Sequence, residues 1–274
     1  MPAEPSIRVG SFEVVPLLDG WAPLPLEQEL PGQRVDWAQE RTSFPWAFDG
    51  DSAWRWHVRA FLVRNADTQL LVDTGIGHLG RPPYDVAGAI DASLADAGTS
   101  AERIDHVVLT HLHADHAGGA CLPGGTPRFP NAIYHVHDAD WRFFASATDD
   151  DDFDGRAAMA VLEQTPRLTI TSDDRAIVAG VRVLHAPGHT PGHRCVVVED
   201  GDDPVLLTGD LVHQPIQVAH PEWASWHDED EMLGIASRRI LLFRARQRGW
   251  RLAVSHFAEP FGRVADDGWT SKRR

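Results

Sequence analysis

Six consecutive residues constrain this chain more than any other segment: His111-Leu112-His113-Ala114-Asp115-His116. Three imidazoles and a carboxylate, followed at once by Ala117-Gly118-Gly119, concentrate groups that suit a borderline divalent ion. Zinc is the first candidate, with manganese, iron or cobalt also compatible. The preceding run Ile104-Asp105-His106-Val107-Val108-Leu109-Thr110 predicts a buried strand, so the ligand-type residues begin where a rigid element ends. The plainer alternative is a chance cluster in a chain with 15 His, and a match at four positions weighs against it.

Three more residues stand at the ends of predicted strands. His189 lies in Ala186-Pro187-Gly188-His189-Thr190-Pro191-Gly192-His193, a tight turn after the strand Val181–Leu184. Asp210 follows Val205-Leu206-Leu207-Thr208-Gly209, and His256 follows the strand Trp250–Ser255. Singly they read as a turn residue, a cap and a core histidine. Together, in a chain already carrying H-x-H-x-D-H, they point to one metal centre.

The remaining pattern predicts two strand-rich halves with helices outside. Ala60–Val63 and Leu70–Asp73 form one hairpin, and Cys195–Val198 with Val205–Thr208 form a second. Strands are also expected at Ile7–Val15, Ala132–Val136, Ala176–Val178 and Val181–Leu184. Helical spacing covers residues 85–97, capped by Gly98, and a helix starts near Asp138. A helix over 229–247 carries Met232, Ile235, Ala236, Ile240 and Leu241 as its apolar positions. Residues 19–57 are expected to be irregular, because Pro23, Pro25, Pro31 and Pro45 interrupt them. Their five Trp suit a packed cover that lines a pocket, seals the core or meets another subunit. The acidic run at Asp149–Asp152 with Asp154 reads as a solvated loop, with calcium as the alternative. Cys121 and Cys195 lack metal or redox spacing and are expected to be buried packing groups.

These pieces, in this order, resemble the metallo-β-lactamase-fold hydrolase superfamily. The matching segments are Leu71-Val72-Asp73-Thr74-Gly75, Thr110 to Gly119, Pro187 to His193, Thr208-Gly209-Asp210 and the late His256. The resemblance implies a single α/β (α+β) domain over residues 1–274, folded as an αββα four-layer sandwich with two divalent ions between the sheet edges. It implies His111, His113 and His189 around the first ion and Asp115, His116 and His256 around the second. Asp210 would bridge them, and Asp73 would support the site from beneath. Such a pair of ions would share a hydroxide and use it on a carbonyl or phosphoryl centre.

Within the superfamily the chain resembles the group of methyl parathion hydrolase-like enzymes and N-acyl homoserine lactonases. Typical lactonases carry a Tyr three residues after the bridging Asp; His213 stands there in this chain. His213 is either an oxyanion donor or a group that supports the site, and with Asp115 and Asp210 it is a candidate catalytic residue. The expected walls are the 19–57 cover, residues 141–160 and residues 213–227 with Trp223 and Trp226. They are aromatic with few cations, which suits a neutral hydrophobic ester, lactone or organophosphate. A glyoxalase-II-like thioesterase and a non-catalytic metal-binding protein of the same fold are the alternatives. A formal charge of −15 argues against a nucleic-acid or anionic-membrane partner. A small-molecule substrate, a homodimer built through exposed Trp, and a cytoplasmic location are the remaining expectations.

Overall fold

The computed structural model describes residues 5–26, 29–80, 86, 88–146 and 155–271. Strands β1 (Ile7–Val9), β2 (Phe12–Pro25), β3 (Phe48–Asp49), β4 (Ala53–Arg64), β5 (Gln69–Val72), β6 (His106–Val108), β7 (Ile133–His137) and β8 (Leu168–Thr171) form the first sheet. Its order is β1-β2-β4-β5-β6-β7-β8, with β3 beside β4. The second sheet holds β9 (Arg175–Val178), β10 (Val181–His185), β11 (Arg194–Val198), β12 (Val205–Leu207), β13 (Arg251–Ala253), β14 (Phe261–Ala265) and β15 (Gly268–Thr270), in reverse chain order across the sheet.

Helices cover the outer faces. These are α1 (Trp37–Ser43), α2 (Ile90–Asp96), α3 (Ala114–Ala117), α4 (Asp138–Ser146), α5 (Arg156–Leu162), α6 (Ile216–Ala219) and α7 (Glu231–Arg248). The period of two along each strand divides the apolar residues among three layers. Leu62, Val107 and Val136 pack outward against Ile90 and Leu94 of α2, Phe144 of α4 and Leu162 of α5. Phe61, Val63 and Val108 point the other way, onto Val183, Val196 and Leu207 of the second sheet. Val197, Leu206 and Leu252 then face Leu241, Leu242 and Ala245 of α7. The result is the αββα sandwich, with one apolar layer between the sheets and one beneath each set of helices.

Both predicted hairpins form. Arg64 pairs with Gln69, and Asn65 Oδ1 closes the turn by accepting from the amides of Asp67 and Thr68 at 2.9 and 3.0 Å. Gly98 takes a left-handed conformation just past α2, although that helix begins only at Ile90. The strand expected over 104–110 is confined to His106–Val108. The acidic run at 149–152 and Asp154 lies outside the described residues.

Two expectations need correction. The segment 19–57 is not irregular throughout: β2 runs to Pro25, pairing with β4 from Glu13↔Arg64 to Pro25↔Ala53. β1 covers only Phe12–Val14 of β2, so the rest of its outer edge needs no amide donor and tolerates Pro16, Pro23 and Pro25. The register shifts between Leu18 and Gly20, leaving Asp19 at a bulge. There its buried carboxylate accepts from the amides of Ile76, Gly77 and Ala89, pinning the loop after β5. The second correction concerns α7, whose buried residues are Gly234, Arg238, Leu241, Leu242 and Ala245. Met232 and Ile240, expected to face the core, are 75% and 56% exposed.

Candidate metal centre

The parallel pairs β5–β6 and β12–β13 end on the same edge of the sandwich, and the ligand-type residues emerge there. Asp73 follows β5 and holds φ at +61°, the only non-glycine with positive φ among the described residues. His113 precedes α3, and Asp115 and His116 occupy its single turn. Close backbone approach fixes this turn: a Cβ on Gly119 would lie 2.0 Å from the Thr74 carbonyl oxygen. His189 sits in the β10–β11 loop, where Gly188 has φ +136° and packs onto Gly234 at the start of α7. Asp210 follows β12 and His256 follows β13.

All seven sequence-predicted ligands converge. His111 Nε2, His113 Nδ1 and His189 Nε2 lie 2.9–3.2 Å from one another. Asp115, His116, Asp210 and His256 form an adjoining, fully buried group. His116 Nε2 is 3.2 Å from Asp115 Oδ2 and 3.0 Å from Asp210 Oδ1. His256 Nε2 is 3.1 Å from Asp210 Oδ1 and 3.6 Å from Asp115 Oδ2. The other Asp210 oxygen, Oδ2, lies 3.4 Å from His189 Nε2 and 3.7 Å from His111 Nε2. One carboxylate therefore reaches both groups. His213 Nε2 also lies 3.1 Å from Asp210 Oδ2.

The rings are aimed by their outward nitrogens. His116 Nδ1 donates to Asp73 Oδ2 at 2.8 Å, and His256 Nδ1 donates to the His57 carbonyl at 2.7 Å. Thr110 Oγ1 lies 3.1 Å from His111 Nδ1 and donates to Asp73. His189 Nδ1 faces Asp228 Oδ1 at 3.6 Å. Each contact leaves an Nε2 lone pair directed into the cluster, the usual arrangement behind metal-ligating imidazoles.

The donor set fits divalent cations. With Nδ1 of His111 beside Thr110 Oγ1 and Nδ1 of His189 facing the Asp228 carboxylate, their Nε2 atoms lie 3.2 Å apart, and two lone pairs that close repel without a cation between them. A tetrahedral zinc at its ordinary bond length sets such nitrogens about 3.3 Å apart. Asp115 Oδ1, Asp210 Oδ1 and His116 Nε2 are buried with no hydrogen-bond partner. Burial lowers the pKa of His111 and His189, keeping them neutral. Burial opposes charge on His116 and His256 as well, but the adjoining Asp115 and Asp210 carboxylates raise both. Burial likewise opposes charge on Asp210, and His116 and His256 outweigh it, holding that carboxylate well below its ordinary range.

Several supporting residues carry no sequence signal of their own. Asp228 stands just before α7, and Arg238 reaches it with Nη2 3.0 Å from Oδ2. Arg238 Nε donates to the Leu211 carbonyl at 2.7 Å, and Nη1 to the Trp223 carbonyl at 2.8 Å. Burial alone would raise the Asp228 pKa, but the adjoining His189 and the Arg238 guanidinium hold it well below the usual carboxylate range. His193 Nε2 accepts from the Asp210 amide at 2.9 Å and so sets that carboxylate's backbone. Periodicity cannot reveal such contacts, since each residue joins segments remote in sequence.

A narrow cavity opens on the cluster, lined by Trp56, His113, Asp115, His189, Asp210, His213, His227 and His256. Trp56, from the expected cover, stacks on His256 with ring centres 5.7 Å apart. Phe144 meets His113 edge-on at 5.6 Å. The expected role of Trp223 and Trp226 is not realised: Trp223 stacks on His220 and Trp226 is 52% exposed. His227, between Trp226 and Asp228, lines the wall in their place. Cys121 and Cys195 are buried free thiols, as expected.

The family profile of the metallo-beta-lactamase superfamily matches residues 53–256, which include every one of these ligand-type residues. The chain belongs to this superfamily. An N-acyl homoserine lactonase of Bacillus sp is 32% identical over 118 residues, 43% of this chain and 42% of that protein. The match thus spans less than half the length of that relative. An acyl-coenzyme A thioesterase of Bos taurus is 25% identical over 226 residues, 77% of this chain and 74% of that one. Among solved structures, AidC, a dizinc quorum-quenching lactonase in complex with a product, superposes with a TM-score of 0.85 at 24% identity, covering 98% and 97% of the chains. The hydrolase AbOPH reaches 0.83 at 21% identity, covering 100% and 99%. Among the described residues no helix is long and apolar enough to cross a membrane.

Proposed function

We propose that this chain is a binuclear metal-dependent hydrolase acting on a neutral, hydrophobic ester or lactone. The observation that carries the reading is the reach of the Asp210 carboxylate, with Oδ2 3.4 and 3.7 Å from His189 and His111, Oδ1 3.0 Å from His116, and both oxygens 3.1 Å from His256. In this reading His111, His113 and His189 would hold one ion, Asp115, His116 and His256 would hold the other, and Asp210 would be shared between them. Zinc suits the imidazole-rich set best, with manganese, iron or cobalt as substitutes. Two such ions, when bound, lower the pKa of a shared water and polarise the substrate's oxygen.

The protein's own groups do the rest. Asp73, Asp228 and the His57 carbonyl keep the imidazoles turned inward. His213 has its amide held by Gln217 Oε1 at 2.8 Å, and its ring is stacked at 5.6 Å on His256 and at 5.5 Å on His227. That clamp leaves Nε2 on the cavity wall, 3.1 Å from Asp210 Oδ2, and in this reading its N–H turns from that carboxylate to the oxygen that gains charge as the acyl carbonyl becomes tetrahedral. Trp56 excludes water from one side and offers an apolar face to an acyl or alcohol chain.

The cavity lining has no Lys or Arg among the described residues, which favours a neutral substrate over one bearing several phosphates. Thioester hydrolysis is the second reading. It uses the same acyl chemistry, and the bovine thioesterase matches more of this chain than the bacterial lactonase does. Purified, zinc-loaded protein should be assayed against N-acyl lactones, aryl esters, phosphotriesters and acyl-coenzyme A thioesters. The lactone or aryl ester is expected to give the highest kcat/KM; a thioester or phosphotriester ranked first would overturn the ester assignment.

A further inference from the structure

Helix α4 runs past both the loop of His113 and the turn of His189. Phe144 meets the His113 ring edge-on, and one turn earlier Asp140 is fully buried. The two Asp140 oxygens go to two residues of the β10–β11 loop. Oδ1 accepts from the Gly192 amide at 2.5 Å, and Oδ2 accepts from the Thr190 hydroxyl at 3.0 Å. The approach is close: a Cβ on Gly192 would lie 2.5 Å from the Asp140 nitrogen. The Leu112 backbone, between His111 and His113, adds a smaller favourable contact to the same carboxylate.

An acid in the first turn of a helix complements the dipole, but a solvated one would serve that purpose. Here burial pushes the carboxyl up to about 6, against its hydrogen bonds and the nearby Arg194 cation, so the charge is kept at a cost. Two donors converge on it, which calls for a group with two acceptor oxygens. An amide of the same shape would satisfy one donor and turn its own NH2 on the other. On its far side the His189 turn is held by the amides of Glu229 and Asp230, which donate to the His189 and Gly188 carbonyls at 3.2 and 2.9 Å. Asp140 closes the near side, towards His111 and His113. His116 and His256 take their orientation elsewhere, from Asp73 and the His57 carbonyl.

We propose that Asp140 is a positioning residue for the ion of His111, His113 and His189, pinning the His189 turn where that imidazole meets the other two. The assignment rests on the two-ion reading of the site. Without the pin, the turn has to be ordered as the ion binds, and that ordering lowers affinity at this group. Asp115, His116 and His256 have no such dependence, so the two ions differ in their response to the loss of Asp140.

Chelator competition on zinc-loaded protein, followed through the histidine 15N resonances, tests it. Wild type is expected to release two ions. In Asp140→Asn the ion that shifts the His113 and His189 resonances should bind about 10- to 100-fold more weakly, the usual effect of losing an orienting partner. The ion that shifts His116 and His256 should keep its affinity. Thr190→Val removes one donor and leaves the carboxylate and its Gly192 bond, so it should weaken the same ion about fivefold. That milder variant decides the matter if Asp140→Asn does not fold. With two ions in the wild type, equal weakening of both, weakening of neither, or a loss confined to the His116 and His256 ion would overturn the role of Asp140 alone. A wild type that binds a single ion would overturn the two-ion reading, and the role with it.

Discussion

Asp73 accepts a hydrogen bond from His116 Nδ1 at 2.8 Å, and through Thr110 Oγ1 it also steadies His111. One carboxylate beneath the cluster therefore orients an imidazole in each of the two groups. Its left-handed backbone, the only such non-glycine among the described residues, is retained at this position despite the steric cost. Asp73→Ala removes both supports while leaving every ligand in place. Metal affinity is expected to fall about 10- to 100-fold, the usual effect of losing such a partner. Competition with a chromophoric chelator measures it, and unchanged affinity would show that the rings hold their positions without Asp73.

Arg238 and Asp228 make a buried pair whose carboxylate also faces His189. Arg238→Met leaves the Asp228 charge buried without its cation, at a cost of about 3–5 kcal/mol. The melting temperature is expected to drop by roughly 10 °C, at about 2–4 °C per kcal/mol for a chain of this size class. Asp228→Asn, which keeps the shape, should disturb stability less and metal retention more. Calorimetry on both variants separates the two effects.

His213 is expected to act on the transition state more than on the ground state. His213→Ala should lower kcat by about 10²–10³ with a much smaller change in KM. Steady-state kinetics on the best ester or lactone decides it, and a loss confined to KM would assign His213 to binding alone.

Acidity should empty the cluster unevenly. In the metal-free protein the adjoining carboxylates raise the pKa of His116 and His256, whereas burial lowers that of His111 and His189. A raised histidine pKa means that the folded apo-protein is stabilised by those protons below the unfolded value and loses that stability as pH rises through the folded value. A cation must displace the same protons, so affinity at His116 and His256 climbs with pH and binding releases protons. His111 and His189 have none to release. Metal content at pH 5.5 and pH 8 should show one ion lost well before the other, and titration in buffers of differing ionisation enthalpy should show proton release tied to that ion.

The chain announces its chemistry in sequence because its ligand-type residues lie in short segments just past strands, and Val107-Val108, Leu206-Leu207 and Leu252-Ala253 read as buried strands without any tertiary knowledge. Hairpin turns are equally local, as Asn65 shows. The misread segments depend on which neighbour is present. Pro23 and Pro25 look like strand breakers until β2 proves to be an edge for that stretch. Met232 and Ile240 look like core residues because periodicity finds an apolar stripe but cannot say which of two stripes meets the sheet. Asp228 and Arg238 are silent for the same reason: their partners lie on other segments.

The most direct test of the two-ion site is the metal content of purified protein and of Asp210→Ala, measured by inductively coupled plasma mass spectrometry beside hydrolysis of the best substrate. Wild type is expected to hold close to two divalent ions per chain, and Asp210→Ala to hold at most one, with turnover abolished and the fold intact. A wild type saturating at a single ion, or an Asp210→Ala protein that still turns over substrate, would contradict the binuclear account.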